Sequence, residues 1–98
     1  MREKEIEQRF AQKIRLMGGV ALKFVSPGFD GMPDRMVLLP GGRISFVEVK
    51  AKGEKPRPLQ VSRMKMLHEL GFDTYILDGV EKIENLVMTI ASKEGGDA

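Results

Sequence analysis

Apolar residues in the first part of the chain recur at the spacing of a helix. Ile6, Phe10, Ile14 and Met17 follow one another at intervals of four, four and three residues. This spacing places them on one face of an α-helix, where they can pack against a core. The pair Gly18-Gly19 follows directly, and glycine is the residue that most often ends a helix. The pattern therefore predicts an amphipathic helix that stops at this pair.

The next segments have the composition of short β-strands. An apolar run at residues 20–25 precedes a loop rich in proline and glycine at residues 26–33, which is typical of a turn region. Two β-rich runs follow, at residues 35–39 and 43–50, and Pro40-Gly41-Gly42 separates them. A three-residue connection containing glycine between two such runs predicts a β-hairpin.

The second half of the chain predicts a strand between two helices. We expect a helix from Pro58 to the residue before Gly71, a strand at residues 72–77 and a helix at residues 80–91. The order α-β-β-β-α-β-α indicates an α/β fold in which helices flank a mixed central sheet. The positions expected to face the interior are Val61, Met64, Leu67 (or His68) and Leu70 in the first helix, and Val80, Ile83, Val87 and Ile90 in the second.

Length and composition limit the kind of protein. With 98 residues, the chain has the size of one small domain; we expect residues 1–92 to form it and residues 93–98 to be a disordered tail. There is no cysteine, which excludes disulfides, thiolate metal sites and cysteine nucleophiles. No signal peptide and no apolar run of about 18–20 residues is present, so we expect a cytoplasmic protein without a membrane partner.

The charge is unevenly distributed along the chain. The net charge of +2 would by itself argue against a strongly basic nucleic-acid binder. However, residues 43–65 contain seven basic and two acidic side chains, a net charge of +5, whereas residues 66–98 contain two basic and seven acidic ones, a net charge of −5. The middle of the chain is therefore a candidate anion-binding surface, although such a segment can equally be a solvated charged face.

The predicted hairpin brings two carboxylates together. A hairpin centred on Gly41 places Asp34 opposite Glu48, and directly opposed residues point to the same side of a sheet with Cβ atoms about 4.5–5.5 Å apart. Lys50 lies two residues beyond Glu48 and therefore also on that side. The same register pairs Leu39 with Arg43, Leu38 with Ile44 and Met36 with Phe46.

Two opposed carboxylates repel each other unless a positive charge lies between them. A hard divalent cation such as Mg²⁺ meets this need, since it prefers carboxylate, carbonyl and water oxygens. Such an ion can activate water and stabilise a leaving oxygen, while Lys50 could orient or deprotonate the water or neutralise developing charge. Taken singly, Asp34 after a proline is typical of a turn or strand-entry residue, and Glu48 with Lys50 is typical of a solvated strand edge with a weak ion pair. A register slip of one residue would also separate the two acids.

The residues that carry this chemistry form a recognisable pattern. Pro33-Asp34 followed by Glu48-Val49-Lys50 resembles the PD-(D/E)XK nuclease signature, which is loose. The surrounding chain narrows the resemblance to the virus-type replication-repair nuclease (VRR-NUC) domain. The further positions that match, in order and spacing, are Glu7 in the first helix, Gly18-Gly19, Gly31-Met32, Pro40-Gly41-Gly42, Phe46-Val47 and Gln60 in the second helix.

The resemblance implies a restriction-endonuclease-like core that cuts DNA phosphodiester bonds with Mg²⁺ or Mn²⁺. Asp34, Glu48 and the carbonyl of Val49 would be metal ligands, and Lys50 the catalytic lysine. Glu7 would reach the metal through water, and Gln60 would support the site from the second helix. Glu7 could otherwise be solvent-facing, and Gln60 could simply cap backbone groups.

The expected function is a metal-dependent DNA endonuclease. Stand-alone members of the family resemble Holliday-junction resolvases, which implies a homodimer acting on branched DNA. The alternatives are a nuclease for flaps or single-strand ends and a non-catalytic nucleic-acid-binding module with the same fold. The residues expected to contact DNA phosphates are Lys52, Lys55, Arg57, Arg63 and Lys65; no aromatic residue is interleaved with them, so we expect backbone recognition rather than base stacking.

Overall fold

Helices and strands follow one another in the predicted order α-β-β-β-α-β-α. The computed structural model describes residues 2–92, so the prediction of a disordered tail at residues 93–98 lies outside the described residues. A single 3₁₀ turn, Val80–Lys82, leads into the last helix. The elements are α1 (Glu3–Leu16), β1 (Val20–Lys23), β2 (Arg35–Leu39), β3 (Arg43–Val49), α2 (Pro58–Glu69), β4 (Asp73–Leu77) and α3 (Ile83–Ser92).

The four strands form one mixed sheet in the order β1-β2-β3-β4. The β1–β2 and β2–β3 pairs are antiparallel, whereas β4 runs parallel to β3 because α2 carries the chain back across the sheet. The β2–β3 hairpin has the predicted register, with Leu39 opposite Arg43, Leu38 opposite Ile44 and Met36 opposite Phe46. The mixed α/β architecture and the hairpin register are thus confirmed.

The main hydrophobic core lies between the sheet and the α1 and α3 helices. The predicted stripes of both helices are buried there, with Phe10 and Ile14 fully inaccessible to solvent. Two predicted positions differ: Met17 lies beyond the end of α1 and is exposed, and Val80 lies in the 3₁₀ turn before α3 and is half-buried. The core residues are Ile6, Phe10 and Ile14 of α1, Ile83, Val87 and Ile90 of α3, and Ala21, Val37, Leu39, Val47, Val49 and Leu77 of the strands.

The opposite face of the sheet carries the acids. Near the hairpin turn this face is open to solvent, and Ile44 is 41% exposed. Near the other end, the ring of Phe46 packs between those of Phe24 and Phe72, with centroid distances of 5.7 and 5.6 Å. The apolar side chains beside the acids therefore form a small second cluster rather than part of the main core.

The prediction of which residues of α2 are buried is partly wrong. Met64 and Leu67 are buried as expected, but Val61 and Leu70 are 50% and 66% exposed, and His68 is exposed as well. The third buried residue of this helix is the polar Gln60. The helix is therefore rotated so that an amide, rather than a valine, faces the sheet.

None of the helices among residues 2–92 is both long and apolar enough to cross a bilayer.

Candidate active site

Asp34 and Glu48 meet at the end of the hairpin that lies away from its turn. Asp34 immediately precedes β2, and its side chain reaches across to β3, where Oδ2 accepts a hydrogen bond of 2.9 Å from the backbone N–H of Val49. Its own backbone carbonyl accepts a hydrogen bond of 2.8 Å from the N–H of Phe24. The aspartate is therefore fixed at both its backbone and its side chain, beside the strand that carries Glu48.

Glu48 is a buried carboxylate with one engaged oxygen and one free oxygen. Only 1% of the residue is accessible to solvent. Oε2 accepts a hydrogen bond of 2.6 Å from Nε2 of Gln60 and lies 3.1 Å from Nζ of Lys50. Oε1 is buried and has no hydrogen-bond partner among residues 2–92. Because an unsatisfied buried carboxylate oxygen is costly, this atom is well suited to accept from a positive ligand.

Burial raises the pKa of the Glu48 carboxyl, and the neighbouring charge of Asp34 raises it further, while Lys50 opposes the shift. Burial penalises the ionised form, and a second carboxylate nearby has the same effect. The negative charge at this position is therefore under-compensated by the described side chains. The Lys50 side chain is itself 14% exposed, so its ammonium lies at the boundary between the carboxylates and solvent.

Gln60 links the start of α2 to the site. Its Oε1 accepts a hydrogen bond of 2.8 Å from the backbone N–H of Arg57, which caps the helix, while its Nε2 donates to Glu48. The amide orientation follows from this pair of contacts, since only the nitrogen can donate to a carboxylate. One side chain thus makes both the helix-capping contact and the contact with Glu48, and its support of a metal site stays a prediction.

Glu7 is buried but is engaged on the other side of β2. Its Oε2 lies 2.7 Å from Nε of Arg35 and 3.7 Å from Nζ of Lys23. Arg35 also donates a hydrogen bond of 2.7 Å to the carbonyl of Ala21. The Glu7–Arg35 pair therefore connects α1, β1 and the start of β2. Arg35 directly follows Asp34 in the chain. In this geometry Glu7 stabilises the start of β2 through Arg35. Its contact with a metal-bound water stays a prediction.

Glu3 is a site neighbour that the sequence reasoning missed. It begins α1, and its pKa is raised by burial and by the charge of Asp34, with Lys50 acting in the opposite sense. Glu3 therefore lies within electrostatic range of both groups. The signal that could have indicated it is the spacing of four residues to Glu7, which places both carboxylates on one face of the helix.

The predicted DNA-contacting residues have different surroundings. Lys52, Lys55, Arg57 and Lys65 are exposed, and Lys52 lies 3.8 Å from the carboxylate of Glu81. Arg63 is half-buried: its guanidinium carbon lies 3.8 Å from the ring centroid of Phe29, and its Nε donates a hydrogen bond of 2.7 Å to the carbonyl of Asp30. Four of the five side chains are therefore presented to solvent, whereas Arg63 is bound to the loop before β2.

The donor set suits a hard divalent cation. Within residues 2–92, no group of three or more His, Cys, Asp or Glu side chains could hold a metal ion. Mg²⁺ does not require such a group, because it commonly takes one or two carboxylates and completes its octahedron with carbonyl oxygens and water. Among the described residues, Oε1 of Glu48 has no partner and lies beside Asp34, which is compatible with such an ion.

Comparisons with known proteins relate the chain to nucleases. No protein-family model matches the chain. The chain is 50% identical over 78 residues to “Putative nuclease p44” of Acyrthosiphon pisum secondary endosymbiont phage 1, which covers 80% of this chain and 84% of that protein. A solved structure described as a VRR_NUC domain superimposes with a TM-score of 0.83 at 28% identity, covering 88% of this chain and 94% of the other.

Proposed function

Because the chain belongs to the VRR-NUC nuclease family, we propose that it is a metal-dependent DNA endonuclease that hydrolyses phosphodiester bonds. We assign residues 1–92 to the nuclease domain. The observation that carries the proposal is the state of Glu48: a carboxylate 1% exposed, beside a second acid, with one oxygen lacking any partner. A protein that only bound DNA would gain nothing from an uncompensated negative charge next to phosphate.

Asp34, Glu48 and the backbone carbonyl of Val49 would hold Mg²⁺, with Mn²⁺ able to replace it. When bound, the ion lowers the pKa of a coordinated water and stabilises charge on the phosphate oxygens. The protein holds the two carboxylates in advance: Asp34 through the Val49 N–H and Glu48 through Gln60. Little reorganisation is therefore needed when the ion and the phosphate arrive.

Lys50 is the residue that would act on the nucleophile. Its ammonium is 3.1 Å from Oε2 of Glu48 and its side chain is 14% exposed, so it can meet a water or a phosphate oxygen that enters from solvent. A positive group at that position orients the attacking oxygen and offsets the charge that develops on phosphate. Gln60 would keep the Glu48 carboxylate in place, and Glu7, through Arg35, would hold the strand that delivers Asp34.

The exposed cations Lys52, Lys55, Arg57 and Lys65 would contact DNA phosphates, together with any part of the Arg63 guanidinium left accessible. Binding should then weaken with salt, with a log–log slope of about −0.9 for each phosphate neutralised on duplex DNA. We further propose that the enzyme acts as a homodimer on branched DNA such as the Holliday junction, each subunit cutting one strand. This step rests on the behaviour implied for stand-alone members of the family.

The test is cleavage of labelled four-way junction, flap, duplex and single-stranded DNA with Mg²⁺, with Mn²⁺ or with a chelator. We expect cleavage of at least one branched DNA with metal and none with chelator. Asp34→Asn keeps an acceptor for the Val49 N–H but removes the charge, so cleavage should fall about a hundredfold or more. A light-scattering mass of two chains should accompany activity on the junction.

The matched control for this variant is Asp30→Asn. Asp30 lies in the same loop, is exposed and holds Arg63 through its backbone carbonyl, which the substitution leaves in place. Activity close to wild type is expected. Failure of the wild-type protein to cut any of the four DNAs with either metal would contradict the enzyme proposal, and full activity of Asp34→Asn would contradict the site assignment.

A further inference from the structure

The loop between β1 and β2 is anchored against α2. Its two ends are joined by the hydrogen bond of 2.8 Å from the Phe24 N–H to the Asp34 carbonyl. At Gly31 the backbone has a φ of 89°, and a Cβ atom built there would lie only 2.7 Å from Cγ of Leu59. Only glycine allows both the left-handed backbone and this close approach. The loop is therefore packed directly onto the helix rather than held above it.

Phe29 lies in this anchored loop with its ring at the surface. The residue is 40% exposed, and the guanidinium carbon of Arg63 lies 3.8 Å from its ring centroid. Nε of Arg63 also donates a hydrogen bond of 2.7 Å to the carbonyl of Asp30, which favours this position of the guanidinium. One ring face thus lies against the Arg63 guanidinium, and the rest of the exposed area belongs to an aromatic ring that solvent can reach.

The position of this ring relates it to the proposed active site. Phe29 lies five residues before Asp34 in the same loop, and Arg63 belongs to α2, the helix whose Gln60 donates to Glu48. The two residues that form the aromatic–guanidinium pair therefore come from two of the segments that build the site, the loop before β2 and α2; the third segment is β3. Sequence reasoning found no aromatic residue among the basic ones, because Phe29 reaches Arg63 only through the fold.

We propose that Phe29, supported by Arg63, is a stacking site for an unpaired nucleobase of the DNA substrate. This inference rests on the proposed function, which it deepens by naming a substrate feature. Base–aromatic stacking tolerates any base, and an adjacent arginine adds a cation–π contribution. A continuous duplex hides the faces of its bases, whereas a flap, a fork, an open end or a junction opened at its crossover exposes them. Such a site would therefore favour DNA that contains unpaired bases.

The test compares two forked duplexes in a chelating buffer, where binding is separated from cleavage. One fork has ordinary single-stranded arms, and the other has arms of abasic nucleotides with the same number of phosphates. We expect the wild-type protein to bind the ordinary fork about fivefold to a hundredfold more tightly, as measured by fluorescence anisotropy, which is the range expected for stacking of one base. Phe29→Leu, which keeps apolar volume in the loop, should bind the two forks with equal affinity, whereas Phe29→Trp should keep the preference for the ordinary fork.

Leu16→Ala is the control for loss of an exposed apolar side chain, since Leu16 is 78% exposed at the end of α1; it should leave the ratio unchanged. Three results would overturn the proposal. The wild type could bind both forks equally. Phe29→Leu could weaken both forks to the same extent, as expected if Phe29 only anchors the loop. Or Phe29→Leu could change the mass of the particle in light scattering while the ratio persists, as expected for a contact between two copies.

Failure of this inference is distinguishable from failure of the proposed function. If the wild type cuts DNA with metal but its binding ratio is close to one, only the stacking site is refuted. If the wild type cuts no DNA with either metal, the endonuclease assignment is refuted whatever the ratio.

Discussion

Replacing Gln60 by alanine should cost a large part of the stability of this protein. The side chain makes two buried or half-buried hydrogen bonds, one of 2.8 Å from the Arg57 N–H and one of 2.6 Å to Glu48. A helix cap contributes about 1 kcal/mol, and a hydrogen bond to a charged group about 1.5–3 kcal/mol. The expected loss is therefore about 2.5–4 kcal/mol in the free energy of unfolding, out of the roughly 5–15 kcal/mol that is typical of domains.

Urea denaturation monitored by circular dichroism measures this loss, with metal chelated so that ion binding does not contribute. Gln8→Ala is the matched control because Gln8 is exposed on α1; its effect should stay within about 0.5 kcal/mol. If Gln60→Ala also changed stability by less than about 0.5 kcal/mol, the bridging role of the amide would be refuted.

A second variant at the same position separates the two hydrogen bonds. Gln60→Glu keeps an oxygen for the Arg57 N–H but replaces the donor that lies 2.6 Å from Oε2 of Glu48 with a second carboxylate. Two ionised carboxylates at this distance repel each other, and protonation of one relieves the repulsion. The variant should therefore be less stable than wild type at pH about 7 and should recover most of the difference near pH about 4. A deficit independent of pH would contradict this account.

Three further predictions address the site and the fold. Lys50→Met should lower single-turnover cleavage about a hundredfold to ten-thousandfold while changing DNA affinity in chelator little; cleavage within tenfold of wild type would exclude a direct role for the ammonium. Burial raises the pKa of Glu48, so the folded protein holds this proton to a higher pH than the unfolded chain. The free energy of unfolding without metal should then fall as pH rises from the unfolded-state pKa through the raised folded-state pKa. Urea unfolding of Glu48→Gln over the same pH range gives the contribution of the other groups, and equal pH dependence of the two proteins would refute the prediction. Gly19→Ala should destabilise by about 1–3 kcal/mol in thermal or urea unfolding, because the new Cβ would lie 2.5 Å from both the Leu38 carbonyl oxygen and Cδ2 of Leu39; Ser62→Ala, on an exposed part of α2, should stay within about 0.5 kcal/mol.

Local patterns determined the elements and the pairing of the acids. The stripe of Ile6, Phe10 and Ile14 could be read directly, because helical periodicity depends only on spacing along the chain. The hairpin register followed in the same way from a short glycine-containing turn, and that register by itself placed Asp34 beside Glu48. These features are local in sequence, so local physics sufficed to predict them.

The tertiary structure alone decided which side chains face one another across elements. The face of α2 that packs inward contains Gln60 rather than Val61. A buried carboxylate without a hydrogen-bond donor costs more free energy than an exposed valine side chain, so the amide faces Glu48. Glu7 lies against Arg35 and Phe29 against Arg63, two contacts between residues distant in sequence. Periodicity specifies that a residue lies on a given face of its own element, but its partner depends on how the elements are packed. The charge compensation around Glu48 is therefore a property of the fold and could not be obtained from spacing along the chain.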